Sequence, residues 1–278
     1  MKYLSILIIL FSISILHAQE GSPQTILCDT EFIDMDPKDI QSYKNYIENI
    51  ARSVSSMDTI FIPVVIHNLT WNRTAYVSDS LLLNVVKNVN LALANEEAFY
   101  DPKGVDTRIR ICLAKTDPDG NTTTGIVHKE HFMGNSYNLL RDQFDRNYVW
   151  DIDKYLNIFI IDGISGAASF PWDESGFQGI TISSRYMNHQ QGVDIFVHEL
   201  GHYFGLYHTF QNTNCASFDC LENNDMVCDT PTDRIPFQVC FEMNTCAFDA
   251  NPDDPNGVFE EDVPDMIENY MDGGICRS

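Results

Sequence analysis

Hydrophobic and polar positions along the chain predict one sheet and two helices. Runs of apolar, often β-branched residues are typical of buried strands, and the sequence has four of them: residues 59–67, 107–114, 156–161 and 179–183. Between the first two runs, apolar residues recur at helical spacing over residues 82–93, and Ser78 or Asp79 can cap that helix. Asp194 can cap a second helix, after which loop residues dominate. This order predicts two helices packed on a twisted sheet.

The second predicted helix carries the most informative motif, His-Glu-x-x-His-x-x-Gly-x-x-His. His198 and His202 lie four residues apart, so both imidazoles leave one helix face and can bind one ion. Gly205 can adopt the left-handed conformation that ends a helix, which lets His208 return as a third ligand. Three neutral imidazoles leave the fourth tetrahedral position of zinc open for water, as catalytic sites require. The motif therefore predicts a zinc hydrolase, with zinc as its cofactor.

Glu199 directly follows the first histidine, which places a carboxylate beside the expected water. We interpret it as the general base, which takes a proton from the attacking water and later delivers it to the leaving amine. Histidines that only satisfy hydrogen bonds in a core would explain one of the three residues. They would not explain three at ligand spacing with a glutamate and a glycine between them.

Residues 1–18 have the pattern of a secretory signal peptide. A basic start precedes an apolar run over residues 4–16 that is short for a membrane span, and a small residue follows at the expected cleavage point. No later run approaches the roughly 20 apolar residues that a span needs. We expect a secreted, extracellular protein with a pro-segment at 19–57 and a catalytic domain at 58–278, whose N-terminal lobe ends near residue 205.

Charge and cysteine content narrow the partners and the compartment. The net charge is −23, and acids dominate after the histidine motif, so nucleic acid is not expected as a partner. Two interpretations of these acids stay open, a solubilising surface or calcium ligation. Eight cysteines in an exported protein indicate disulfides. Cys112 is the exception, because its apolar strand pattern favours a buried free thiol.

Several segments resemble the pappalysin family of metzincin metalloproteases. They are the extended motif through Phe210 and residues 62–67, 112–114, 117–118, 125–126, 155–158, 168–171, 225–231 and 269–272. The resemblance implies an α+β, metzincin-like zincin fold. In it, a twisted, mostly parallel sheet and two backing helices lie above the zinc cleft, and a loop-rich, disulfide-stapled C-terminal subdomain follows. It also implies zinc ligation by the three histidines, a base and acid role for Glu199, and a Met-turn beneath the metal at Met271, whose packing supports the ligands.

Calcium binding near the cleft is a further implication of the resemblance. Its candidate ligands are Asp225, Asp229 and Thr230, which offer the hard oxygen atoms that calcium prefers. Disulfide pairing follows only by analogy with the family, because six cysteines allow 15 pairings. The analogy favours Cys246–Cys276, together with a bond from Cys240 to Cys215 or Cys220, of which we choose Cys215–Cys240.

Cys28 stands where relatives have a pro-segment cysteine that can cap the zinc as a thiolate. A sulfur atom in the open position excludes water, so the resemblance implies a latent precursor, a zymogen. The alternative is a disulfide between Cys28 and Cys112.

We predict a secreted zinc metalloendopeptidase that hydrolyses protein or peptide substrates outside the cell. The rival is a truncated, zinc-binding pseudoprotease that acts as a binding module. Relatives usually place a tyrosine two residues after the Met-turn methionine, where this chain has Gly273, and they continue beyond the position of Ser278 into a final helix. Ile275 stands where some relatives have an acidic residue, so a preference for Arg or Lys is not carried over. The sequence indicates no oligomeric state.

Overall fold

The computed structural model describes residues 41–42, 44–45, 58–71, 77–131, 148–162, 165–173, 178–211, 215, 220–221, 224–234, 243–246, 249–250 and 256–272. The proposed signal peptide and nearly all of the proposed pro-segment lie outside the described residues. So do Cys28, Cys240, Gly273, Ile275 and Cys276. No helix in the described ranges combines the length and apolar character needed to cross a bilayer.

The described chain folds into a six-stranded sheet and two long helices. In chain order the strands and long helices are β1 (Ile60–Trp71), α1 (Asp79–Ala94), β2 (Ile109–Leu113), β3 (Ile126–His131), β4 (Leu156–Ile161), β5 (Gly166–Ala168), β6 (Ile180–Ser183) and α2 (Gln190–Tyr203). The strand order is β2-β1-β4-β6-β5, and β3 pairs with β1 beside β2. All pairs are parallel except β5 with β6, so β5 is an antiparallel edge strand. The predicted twisted, mostly parallel sheet with two helices is confirmed.

The main core lies between the sheet and the two helices. All six residues of β4 are buried, as expected for a central strand of a parallel sheet covered on both faces. Fully buried aliphatic and aromatic side chains from both layers meet here: Ile66, Ile158, Ile180, Ile182, Leu82, Ile195 and Phe196. Each such side chain stabilises the fold by about 1.5–3 kcal/mol relative to exposure. The core therefore holds α2 firmly against the sheet.

The two helices differ in what fixes their first residue. Ser78 caps α1 as predicted, since its side chain accepts a hydrogen bond from the Leu81 amide. The predicted cap of α2 at Asp194 is wrong, because α2 begins four residues earlier at Gln190 and Asp194 lies buried inside it. Gly192 permits the earlier start, since a side chain there would collide with the backbone of Tyr186.

The cysteines also depart from expectation. Cys215 is bonded to Cys246 and Cys220 to Cys228, so the predicted pairs Cys246–Cys276 and Cys215–Cys240 are wrong. Their Cα separations of 5.1 and 5.2 Å fall in the usual range for disulfides. Cys112 carries a free thiol that is exposed rather than buried. Its neighbour in β2, Ile111, takes the core-facing position, and successive side chains of a strand point to opposite faces.

Candidate metal centre

Three buried histidines converge at the C-terminal end of α2. His198 and His202 project from the same face of the helix, and His208 approaches them from the loop that follows. The Nε2 atoms of His198 and His202 are 3.1 Å apart, those of His202 and His208 3.1 Å, and those of His198 and His208 3.2 Å. Within the described ranges, this trio is the one group of three or more such side chains compact enough to hold a metal ion.

Backbone carbonyls orient two of these rings. The Nδ1 of His198 lies 2.6 Å from the carbonyl oxygen of Tyr270, and the Nδ1 of His202 lies 2.8 Å from that of Leu206. A carbonyl oxygen can only accept, so each Nδ1–H donates and each Nε2 presents a lone pair. Facing lone pairs repel one another, and a cation between them removes that repulsion. Carbonyl partners on the second ring nitrogen are typical of metal-binding histidines.

The donor set fits zinc in type and in spacing. Tetrahedral zinc holds imidazole nitrogens at about 2.0–2.1 Å, which corresponds to nitrogen separations of about 3.3–3.4 Å. The observed separations of 3.1–3.2 Å are close to that requirement. Burial, with the neighbouring histidines as a second cause, lowers the pKa of His202 well below its usual value. Burial and then His198 lower the pKa of His208 to about 3. Both rings are therefore neutral at pH 7, as metal ligation requires.

The turn after α2 forms as the glycine predicts. Gly205 has a φ of 98°, in the left-handed region that glycine adopts without steric cost. The amide of Gly205 donates to the carbonyl of His202, and that of Leu206 donates to the carbonyl of Gly201. The carbonyl of Leu206 in turn accepts from the ring of His202. One turn therefore both returns His208 to the helix and orients His202.

Met271 packs directly beneath α2. A side-chain carbon added to Gly201 would lie 3.1 Å from Cε of Met271 and closer still to its sulfur, so the glycine makes this contact possible. The carbonyl of Met271 accepts a hydrogen bond from the amide of Thr209, which follows His208. Tyr270, the preceding residue, binds the ring of His198. The segment predicted as the Met-turn thus contacts the chain at two of the three histidines.

Glu199 lies on α2 between the two helical histidines and is completely buried. Its carboxylate rests against β5 at Gly166, and Ile195 flanks the same spot one helical turn earlier. The edge strand of the sheet therefore runs directly over the side chain that we predicted to be the base.

An aromatic cluster beside the histidines was missed by the sequence analysis. Phe170 meets the ring of His202 edge to face at 5.4 Å and stacks on Trp172 at 5.0 Å. Tyr207 lies 5.0 Å from Phe170, and Met226 completes the cluster. The apolar side chains shield one flank of the histidines from water, and Trp172 is partly exposed. The available signal in the sequence was the pair of aromatic residues in the Phe-Pro-Trp segment, residues 170–172.

The predicted calcium ligands lie together in a loop. Asp225 is buried, and its Oδ1 accepts a hydrogen bond of 3.0 Å from the amide of Val227. Burial raises the pKa of Asp225 to about 8, with the charge of Asp229 adding to the rise and the Thr230 hydroxyl opposing it. Within the described ranges, the acids form no metal-sized group of three, so calcium remains a prediction.

Other acids in this region tie loops together, a role that the sequence analysis did not consider. Asp265 accepts hydrogen bonds from the amide and the hydroxyl of Thr245, and that hydroxyl also lies 3.1 Å from Asp233. Asp249 accepts from the amides of Thr232 and Val263. Some of the acidic side chains therefore stabilise the fold of the C-terminal region by hydrogen bonds between its loops.

Known proteins share both the sequence pattern and the fold. An extracellular metalloprotease of Colletotrichum graminicola is 28% identical over 227 residues, covering 78% of this chain and 70% of the relative. One from Verticillium alfalfae is 23% identical over 277 residues, covering 92% and 84%. A promirolysin mutant of Tannerella forsythia has a similar fold, with a TM-score of 0.66 at 24% identity over 90% of this chain and 88% of its own.

Mature mirolysin from the same organism, solved with a cleaved peptide, superimposes with a TM-score of 0.63 at 23% identity over 79% of this chain and 85% of its own. The family model described as pregnancy-associated plasma protein-A, peptidase M43, matches residues 139–273, which include the whole histidine motif and Met271. By this match and these relatives, the chain is similar to the pappalysin family, and its activity is that of a zinc metalloendopeptidase.

Proposed function

We propose that this protein is an extracellular endopeptidase in which His198, His202 and His208 hold the zinc ion and Glu199 is the general base. The observation that carries the proposal is the convergence of three buried Nε2 atoms within 3.2 Å of one another, on the helix that also carries Glu199. When bound, zinc supplies Lewis-acid chemistry that polarises the scissile carbonyl and lowers the pKa of water.

Glu199 performs the proton transfers. Its carboxylate takes one proton from water as the water oxygen attacks the carbonyl carbon of the peptide bond. The protonated side chain then donates that proton to the peptide nitrogen, the carbon–nitrogen bond breaks, and the carboxylate is regenerated. The buried setting of Glu199 suits this cycle, because electrostatic interactions are stronger where water is excluded.

The edge strand β5 is the proposed docking line for substrate. One side of β5 pairs with β6, and among the described residues no strand pairs with its other side. An extended peptide can add to such an edge through backbone hydrogen bonds, which suits substrates of varied sequence. The mirolysin structure with a cleaved peptide supports a peptide-binding role for this fold.

The domain organisation is proposed as predicted from the sequence. Residues 1–18 act as a signal peptide, residues 19–57 as a pro-segment and residues 58–278 as the catalytic domain, with the lobe boundary near residue 205. Relatives named extracellular metalloproteases support export. The thiol of Cys28, which lies outside the described residues, is proposed as the zinc cap of the precursor.

Calcium is proposed as a second ion, held by Asp225, Asp229 and Thr230. The support is the buried carboxylate of Asp225, which forms a hydrogen bond with Thr230 and is affected by the charge of Asp229. Asn224 and Met226, on either side of Asp225, have positive φ angles of 56° and 65°. The loop therefore holds an uncommon backbone conformation that a cation would stabilise.

Substitution of Glu199 tests the central proposal and separates it from the pseudoprotease alternative. We expect Glu199→Ala to keep one zinc per chain but to lose at least about 100-fold in casein hydrolysis, because the ligands remain while the proton carrier is gone. Zinc content and hydrolysis with and without chelator are the measurements. Glu130→Ala, at an exposed position of β3, is the control. Full activity of Glu199→Ala would exclude its role, and a zinc-loaded wild-type protein without any hydrolysis would favour the pseudoprotease.

A further inference from the structure

Gly166 faces the helix that carries the catalytic motif. In the antiparallel pairing of β5 with β6, Gly166 lies opposite Ile182 and Ala168 opposite Ile180. Both isoleucines belong to the core beneath the helices, and residues paired across a sheet share a face. The missing side chain of Gly166 would therefore point at α2.

Two residues of α2 occupy the space where that side chain would be. An added Cβ would lie 2.8 Å from Cγ2 of Ile195, 3.0 Å from Cδ of Glu199 and nearer still to Oε1 of Glu199. Real Cβ atoms essentially never approach another heavy atom within 3.0 Å. Ile195 and Glu199 are one helical turn apart, so both side chains contact the strand at the same residue, Gly166.

Backbone conformation does not explain the glycine. Gly166 is absent from the glycines with positive φ, so another residue could adopt its backbone angles without strain. The position therefore excludes side chains only for reasons of space, and the Glu199 carboxylate takes up that space.

We propose that Gly166 is a positioning residue for the general base, an inference that rests on the proposed role of Glu199. The bare backbone of β5 forms a wall against which the Glu199 carboxylate rests, so the side chain has one orientation toward the attacking water. Catalytic groups must be held within about 0.5 Å of their productive position. Because β5 is also the proposed docking strand, one backbone segment aligns both the peptide and the base that acts on it.

The kinetic test is Gly166→Ala in the full chain. We expect kcat on a fluorogenic peptide to fall about 10- to 100-fold, as for a displacement of about 1 Å, with KM within about twofold and zinc still at one per chain. Gly192→Ala is the matched control. This substitution also adds a Cβ at a crowded glycine of α2, but the new atom meets the backbone of Tyr186 and not Glu199. Wild-type kcat in Gly166→Ala would overturn the proposal.

A thermal-stability cycle tests the contact itself, without reference to activity. We expect Gly166→Ala to lower the melting temperature by several degrees, and to lower it much less when Glu199 is also alanine, because the colliding carboxylate is gone. Melting temperatures are measured on the zinc-loaded proteins and again after a chelator has been added. Removal of zinc by the chelator also prevents self-digestion. Gly192→Ala should cost the same in both backgrounds.

The outcomes separate this inference from the proposed function. An active Glu199→Ala would refute the base, whereas the stability cycle would still report on the contact. Rescue of Gly166→Ala by Ile195→Ala alone, and not by Glu199→Ala, would assign Gly166 to core packing and overturn the proposal. If Gly166→Ala does not fold, folding of the double variant with Glu199→Ala supports the contact, and misfolding of both contradicts it.

Discussion

Single side chains in this protein differ in what determines their position. His198, Glu199 and His202 are positioned by helix geometry, which the spacing in the sequence already contains. His208 depends on the turn at Gly205, which the glycine indicates. Gly166 belongs to a strand that the sequence analysis did not identify, so its position against Glu199 emerged only from the fold.

His67 is a buried histidine on the sheet face opposite the helices. Its Nε2 lies 3.0 Å from Oδ1 of Asn157, and its ring stacks on Phe159 at 4.6 Å. Burial lowers its pKa to about 4, the hydrogen bond with Asn157 opposes the shift, and Lys129 adds to it. The ring is therefore neutral in the folded protein at pH 7.

We predict that His67 makes stability depend on pH. Its folded pKa lies below the unfolded value of 6.5, so its contribution is complete above pH 6.5 and is lost as the pH falls toward 4. The loss amounts to about 3 kcal/mol at 1.36 kcal/mol per pKa unit. His67→Leu should flatten the stability profile over this window in urea unfolding. A profile as steep in His67→Leu as in the wild type would contradict this role of His67.

The elements that the sequence predicts best are those with strong periodicity. β1, α1, β2, β4 and β6 were all expected near their observed bounds. β3 reads Ile-Val-His-Lys-Glu-His, whose charged residues hide its strand character, and β5 has only three small residues. Both strands form because neighbouring strands supply their hydrogen bonds, which is information that a single segment does not carry.

The contact between α2 and the Met271 segment provides a test at the scale of elements. We predict that Gly201→Ala destabilises the protein by about 1–3 kcal/mol, because the new methyl group collides with the Met271 side chain. In a Met271→Ala background the same change should instead stabilise by up to about 1 kcal/mol, since alanine favours helices over glycine. Urea unfolding of the four proteins measures both values. If Gly201→Ala changes the free energy of unfolding with the same sign in both backgrounds, the Met271 side chain is not the group with which the new methyl group collides.

The whole molecule joins a sheet-and-helix lobe to an acidic, loop-rich region stapled by disulfides. Its histidine centre draws on both regions, because Tyr270 and Met271 bind the segments of His198 and His208. Agents that stabilise the C-terminal loops should therefore also stabilise the metal centre.

Calcium is expected to stabilise the molecule as a whole. A cation that binds the folded loop and not the unfolded chain raises the melting temperature, by an amount that grows with its concentration. Asp225→Ala should remove most of that rise in scans across millimolar calcium, whereas Asp119→Ala, on an exposed turn, should not. A melting temperature independent of calcium would return these acids to a purely structural or solubilising role.

Latency is a prediction about the full-length precursor. If the Cys28 thiolate caps the zinc, Cys28→Ala should make the uncut precursor active, because water regains the fourth position. Cys112→Ala, which removes the exposed thiol of β2, should leave the precursor latent. Peptide hydrolysis by each precursor is the measurement. A Cys28–Cys112 disulfide in mass spectrometry would contradict the cap.

By itself, the sequence determined the zinc-hydrolase class, the three histidines, the helix that carries them and the general layout of the sheet. These depend on spacings within one motif of eleven residues and on local periodicity, which a linear chain displays directly. Only the tertiary structure decided the disulfide partners, the exposure of Cys112, the aromatic cluster beside His202 and the placement of Gly166 against Glu199. Each of these joins segments distant in the chain or depends on which sheet face a residue occupies, and packing alone selects them.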